Sequence, residues 1–398
     1  MIRNLRTAIS GVLCCLIGAA GVTGNVLDSE GPFMHTQLIK LLTPQTLAVA
    51  KRYLRMPPVT ITAFRHKGGP DDPHEYYSQG DYWWPNPKNP VGPYIKRDGY
   101  SNPHNFTADR RALIRFSIHT AALTSAYVLT HDPRYGRAAL GQLIAWFVNP
   151  ATRMNPNLRY AQAVHGRAKG RSYGIIDTVQ LVEVAQSARI LEEDGILSGL
   201  DKVGVKRWFS SYLKWLTTSP MGRTEMDARN NHGTCWVMQV AEFARLTNDR
   251  AELAFCRRRF KSVLLPEQMA LDGSFPRELS RTKPYAYSLF NLDAMCCICR
   301  ILSTPRDNLW NYTLADGRNM RRAVEFMYQY INDKSIWPYR HDVEYWKCWP
   351  VRSAGLLLAG IAYHKMAYLR LWERLPSPGR PEEVLRNVPI RNPILWIR

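Results

Sequence analysis

From Asp109 onward, apolar residues recur at the three- and four-residue intervals of an amphipathic helix. Ala112, Phe116, His119, Leu123 and Val128 mark the first stripe. His131-Asp132-Pro133 closes it, because proline cannot continue a helix. A second stripe runs from Arg134 to Val148 and stops at Asn149-Pro150. The same spacing predicts helices over Asp177–Glu192, Val203–Thr217, His232–Leu246, Ala251–Met269, Ser288–Leu302, Ala315–Ile331 and Ser353–Leu371. Short turns rich in Asp, Asn, Pro or Gly separate them. Few segments alternate strictly over five residues, so the fold class is all-α. The junctions Leu129-Thr130-His131-Asp132 and Leu246-Thr247-Asn248-Asp249 echo each other, which points to one helical hairpin used repeatedly. Such hairpins bury their apolar faces by stacking around a common centre. The lack of a short fixed period favours a closed (α/α) toroid over an open solenoid.

Two segments break the pattern. Arg3 and Arg6 precede an apolar run from Ala8 to Val22, with small residues from Ala20 to Gly24. This is the build of a secretory signal peptide, residues 1–24, and it predicts an extracellular protein whose residues 25–398 form one domain. No other apolar stretch reads as long enough for the ~20 residues of a bilayer span, so no membrane association is expected after cleavage. The second segment, Thr60–Asn105, is dense in Pro, Gly and aromatics around Gly80-Asp81-Tyr82-Trp83-Trp84-Pro85-Asn86-Pro87. A loop this long in a compact domain is usually functional. Its flat rings suit sugar faces and its Asp and Asn suit hydroxyls, although a packed aromatic lid would look the same.

Charge narrows the partner. The chain carries 53 Lys and Arg against 33 Asp and Glu, a net +20; loss of the leader, with two Arg and no acid, leaves +18. Such a field attracts a polyanion. The basic residues are spread along the chain, and the densest cluster, Arg257-Arg258-Arg259, lies in a helical pattern, so nucleic acid is not expected. Anionic lipid and an anionic polysaccharide remain among the polyanions that such a field would draw, and a monomer is expected. The sequons Asn105-Phe106-Thr107 and Asn311-Tyr312-Thr313 fit export. Cys235, Cys256, Cys296, Cys297, Cys299 and Cys348 read as buried thiols or one or two disulfides. The ten His are scattered without metal-ligand spacing, so no catalytic metal or cofactor is expected.

Candidate chemistry gathers in four places. Asn230-Asn231-His232-Gly233 opens a helix, where the positive end of the dipole suits a neutral imidazole base. Asp272-Gly273-Ser274 through Arg277-Glu278 and Arg281, followed by Tyr285, Tyr287 and Asn291, crowds charges and phenols into one turn. An Arg beside a Tyr lowers the cost of a phenolate. Tyr160-Ala161-Gln162 with Arg171 and Asp177 is the third place, and the aromatic loop is the fourth.

Taken in order, these segments resemble the alginate lyase family of (α/α)-toroid polysaccharide lyases, which includes relatives acting on glucuronan. The matching residues are the Gly80–Pro87 loop, Pro93-Tyr94-Ile95, Arg97-Asp98-Gly99, Tyr160-Ala161-Gln162, Gly174-Ile175-Ile176-Asp177, the Asn-Asn-His motif, and Asp272 through Arg281. The similarity spans about residues 60–350. It implies β-elimination of a polyuronate: the C6 carboxylate is neutralised, the C5 proton removed and O4 protonated. Carried over by motif, Asn231, His232, Arg281 and Tyr287 are the catalytic group. Asp81, Tyr82, Trp83, Trp84, Gln162, Arg171, Asn230, Arg277 and Tyr285 are the binding group. Tyr285 stands as the alternative reactive phenol. Two rival readings stay open. One is a hydrolase using Asp177 with Asp227 or Glu278. The other is a lectin-like binder of polyanions.

Overall fold

The computed structural model describes residues 26–379 and 381–397; the leader-like segment 1–24 lies outside them. The first half of the chain contains α1 (Val26–Tyr53), α2 (Ala108–Thr130), α3 (Pro133–Phe147), α4 (Leu181–Glu193), α5 (Gly199–Thr218), α6 (Pro220–Met226) and α7 (Asn231–Thr247). Then come α8 (Arg250–Arg259), α9 (Leu265–Gln268), α10 (Pro276–Leu279), α11 (Pro284–Leu302) and α12 (Met320–Asn332). α13 (Ala354–Ala362), α14 (Met366–Arg374), α15 (Glu382–Arg386) and α16 (Ile394–Ile397) complete the series. Four short strands occur among the described residues. β1 (Tyr77–Gln79) pairs in parallel with β4 (Tyr160–Ala163), and β2 (Trp83–Trp84) pairs antiparallel with β3 (Ile95–Lys96).

The helices form two layers. α2, α4, α7, α11 and α13 pack side by side in that order, with α1 and α3 against α2, α5 against α7, α8 against α7, and α12 and α14 against α13. Sequence explains the layering. α11 is buried at every position from Pro284 to Cys299, as a helix must be when it is apolar all round. α12 buries only Met320, Ala323, Val324, Phe326, Met327, Tyr330 and Ile331, a single stripe. α2 is long and apolar enough to cross a membrane, which corrects the sequence expectation. Its most apolar window is 78% buried inside the fold, so it is a core helix here.

The echoed junctions share one geometry. His131 and Asn248 cap α2 and α7 in the left-handed conformation, at φ 54° and 61°. Asp132 and Asp249 then accept backbone N–H groups from the first turns of α3 and α8. Other boundaries moved. The stretch after Ala251 carries a π-helical turn at Phe260–Leu264, next to Pro266, which lacks an N–H for the helical ladder. Ser353–Leu371 divides at left-handed His364, where Lys365 N–H donates back to Gly360 O. Asp177 sits in a 3-10 segment, Ser172–Gln180, rather than at a helix start.

Two surface expectations change as well. Asn105 is buried, and its Nδ2 donates to Gly80 O at 2.7 Å and to Trp83 O at 3.2 Å, so this sequon is committed to the loop and closed to a glycan. Asn311 is exposed. All six cysteines beyond the leader are free thiols, Cys348 alone being partly exposed.

Candidate active site

A cavity of about 610 Å³ opens where the aromatic loop meets the starts of α7 and α11 and the end of α15. Six of its lining side chains are cationic (Lys96, Arg171, Arg229, Arg277, Arg281, Arg386) and two are acidic (Asp81, Asp98). Its field therefore favours an anionic ligand.

Two buried carboxylates set the Asn231-His232 pair at the start of α7. Glu278 accepts from the Asn231 backbone N–H at 2.6 Å and from its Nδ2 at 2.7 Å. Burial pushes the Glu278 carboxyl up, against the pull of the Asn231 bonds and Arg281. His232 Nδ1 lies 2.6 Å from Glu225 Oε1, and the edge of the Tyr173 ring packs on the imidazole with centroids 5.0 Å apart. Gly233 makes this entry possible. A Cβ there would meet Ala228 O at 2.1 Å, so a larger residue would push α7 off the preceding turn.

Across the cavity, Tyr287 and Tyr82 share a hydroxyl–hydroxyl hydrogen bond of 2.7 Å. The Arg281 guanidinium stacks 4.8 Å above the Tyr287 ring centroid and holds Asp98 through Nη2 at 3.1 Å. Burial raises the Asp98 carboxyl, but Arg281, Lys96 and Thr282 together bring it down to about 2, so the pair stays ionised at neutral pH. The phenol behaves differently from the sequence expectation. Burial, helped by Glu383, raises Tyr287, and the opposing pull of Arg281 and Arg386 is too weak to reverse it. Tyr287 therefore holds its proton at neutral pH, a group able to give a proton rather than to take one. Below it, Arg386 bonds Asp81, and its Nη2 donates to Glu383 Oε2 at 2.6 Å.

The structure brings Asn230, Asn231, His232, Arg277, Arg281, Tyr287, Asp81, Tyr82, Trp83, Gln162 and Arg171 to this one cavity. Several are already engaged. Asp81 is held by Arg110 and Arg386. Gln162, at φ 50°, donates to Asp177 and accepts from Arg171.

Trp84 and Tyr285 do not line the cavity. Neighbours on a strand face opposite ways. With Trp83 on the cavity, Trp84 turns to Tyr100, donating to its carbonyl at 2.9 Å under the Arg97 guanidinium. Tyr285 and Tyr287 are two residues apart on α11, about 200° around a helix. Tyr285 thus points into the core, where its hydroxyl donates to Tyr330 O at 3.0 Å. Tyr285→Phe is expected to keep turnover within a few-fold of wild type and to cost about 1 kcal/mol of stability, read by urea titration.

The carboxylate pair of the hydrolase reading is not assembled. Asp177 is buried under Tyr76, Ser78 and Gln162, Glu278 is buried under Asn231, and Asp227 is exposed beside Arg259. None of the three lines the cavity.

Sequence reading missed Glu225, Lys96, Tyr173, Arg386 and Asn387. Glu225 stood seven residues before His232, a same-face helical spacing, but the turn between α6 and α7 hid that relation. Arg386 reaches Asp81 across 305 positions, and no local pattern signals it.

The two-layer helical fold and this basic, phenol-bearing cavity define a polysaccharide lyase. A family model described as alginate lyase matches residues 60–337, well over half of the sequence, and the chain belongs to the alginate lyase family. Its structure is similar to the crystal structure of an alginate lyase from Bacteroides ovatus, at 29% identity and TM-score 0.79, over 93% of this chain and 97% of that one. It also shares its fold with alginate lyase A1-III, solved as a histidine-to-alanine variant with a tetrasaccharide. There the identity is 14% and the TM-score 0.55, over 86% of this chain and 88% of that one. No curated protein sequence matches.

Proposed function

We propose that the protein cleaves an alginate-type polyuronate by β-elimination, with Asn231, His232, Arg281 and Tyr287 as the reacting group. The observation that carries this reading is the convergence of those four side chains on one cavity where cations outnumber acids six to two. The similarity to the Bacteroides ovatus alginate lyase supports the substrate class. Asn231 and Arg281 take the C6 carboxylate, which lowers the cost of charge developing at C5. A base at the cavity removes the C5 proton, and Tyr287, buried and protonated, gives its proton to O4 as the C4–O4 bond breaks. Trp83 lines the cavity with the guanidinium groups of Arg167 and Arg171 over its ring, so the polymer would meet the indole together with these cations.

The product carries a C4=C5 double bond conjugated to the carboxylate. Incubation with mannuronate-rich, guluronate-rich and glucuronate polymers, followed by ultraviolet absorbance, tests the reading. Depolymerisation without rising absorbance would give the protein to the hydrolases.

Binding is expected to weaken several-fold as salt rises from about 0.05 to about 0.5 M, because screening shortens to a few Å over that range. Titration calorimetry at two salt concentrations checks this. An affinity indifferent to salt would point to a neutral sugar. The leader-like segment at residues 1–24 supports export to where such polymers occur. N-terminal sequencing of protein from the medium would locate the cleavage point.

A further inference from the structure

We infer that Glu225 is a positioning residue for catalysis: it holds the proton of His232 on Nδ1 and turns the bare Nε2 toward the cavity as acceptor of the C5 proton. Glu225 Oε1 lies 2.6 Å from His232 Nδ1, and the carboxylate side chain is 1% exposed while the imidazole is 15% exposed. An ionised carboxylate can only accept, so the shared proton belongs to Nδ1 and the lone pair to Nε2. The other oxygen, Oε2, is buried without a hydrogen-bond partner, which leaves the imidazole as the group that Glu225 serves directly. The Tyr173 ring packs edge-to-face with the imidazole, centroids 5.0 Å apart, as a second contact beside the Glu225 bond.

The surrounding charges fit this division of labour. Glu278, the second buried acid near the ring, is engaged by Asn231 through both its backbone N–H and its side-chain amide. One carboxylate thus orients each member of the Asn-His pair. In the elimination, His232 Nε2 takes the C5 proton, and the C–H electron pair becomes the C4=C5 bond. The C4–O4 pair leaves on O4, which takes the Tyr287 proton. Imidazolium and phenolate remain, and one proton moved through water resets both. Glu225 also stabilises the imidazolium while it lasts, as a carboxylate behind a catalytic imidazole does.

The catalytic half of this inference rests on the lyase reading; the tautomer does not. Long-range proton–nitrogen spectra of ¹⁵N-histidine-labelled protein read the tautomer without substrate, the signal being assigned by its loss in His232→Ala. Wild type is expected to show Nδ1–H, and Glu225→Ala a mixture. With a polyuronate, Glu225→Gln, which keeps the shape and the fold, is expected to lower kcat by about 10²–10⁴-fold at nearly unchanged KM, because an amide N–H facing Nδ1 favours the wrong tautomer. The double variant Glu225→Gln/His232→Ala should be no slower than His232→Ala alone, because Glu225 acts through the ring. An Nε2–H tautomer in wild type, or additive losses in the double variant, would overturn the proposal. An absence of unsaturated product from wild type would sink the lyase reading and leave the tautomer spectra to decide the role of Glu225.

Discussion

Tyr287→Phe is expected to lower turnover by about 10²–10⁴-fold while leaving the fold and substrate affinity close to wild type. The substitution deletes one hydroxyl, whose structural partner is the Tyr82 hydroxyl at 2.7 Å. Losing one such hydrogen bond costs about 1 kcal/mol of stability. The catalytic cost is larger because the variant removes the proton that O4 would receive, and the neighbouring Tyr82 phenol, pushed well up by burial and then by Glu383, is a poor substitute donor. Arg281 stacks on the ring face, and neither Asp81 nor Asp98 is available, both being ion-paired. Burial keeps the Tyr287 proton on the phenol, with Arg281 only partly offsetting it, so the loss should appear at neutral pH without any need for alkaline activation. Initial rates of ultraviolet absorbance at saturating polyuronate, alongside binding measured by calorimetry, separate kcat from affinity. Near-wild-type turnover in this variant would remove Tyr287 from the acid role.

How much of this was legible in the sequence depends on the range of the interaction. α7 and α3 were readable because their stripes and caps lie within one segment. α1 was not, because Pro32 and Pro44 argue against a continuous helix. The Asn231-His232 motif was readable as a helix opening. Its two carboxylates were not, since Glu278 arrives from α10, 47 residues on, and Glu225 lies across a turn. The choice between Tyr285 and Tyr287 needed the phase of α11. Residues before Ser288 read as a turn, whereas the helix begins at Pro284, a first position that suits proline. Trp83 and Trp84 posed the same problem at the period of a strand. Arg386 lay beyond the segment in which any resemblance was visible.

Arg110→Ala is expected to destabilise the protein by about 3–5 kcal/mol, the usual result of removing one partner from a buried ion cluster. Arg110, 1% exposed on α2, donates to both Asp81 oxygens, at 2.5 and 3.1 Å, and to Glu382 at 3.0 Å, and it lies 3.8 Å from Asp177. The cluster ties the aromatic loop to α2 and α15, and Asp81 immediately precedes Tyr82, the partner of Tyr287. Turnover should therefore fall together with stability. The pH dependence follows from Asp81. Burial alone would raise its carboxyl, but Arg110 and then Arg386 hold it below the ordinary 3.8. A depressed carboxyl contributes stability above its unfolded pKa and loses it as pH falls through the folded value. Removing Arg110 weakens the depression, so acid unfolding should begin at higher pH in the variant. Arg110→Lys keeps the charge but not the two-pronged geometry, and should fall between the two. Urea titrations at neutral and acid pH read all three proteins. An unchanged midpoint in Arg110→Ala would mean that Arg386, with Glu383 behind it, is enough to hold Asp81 and the loop in place.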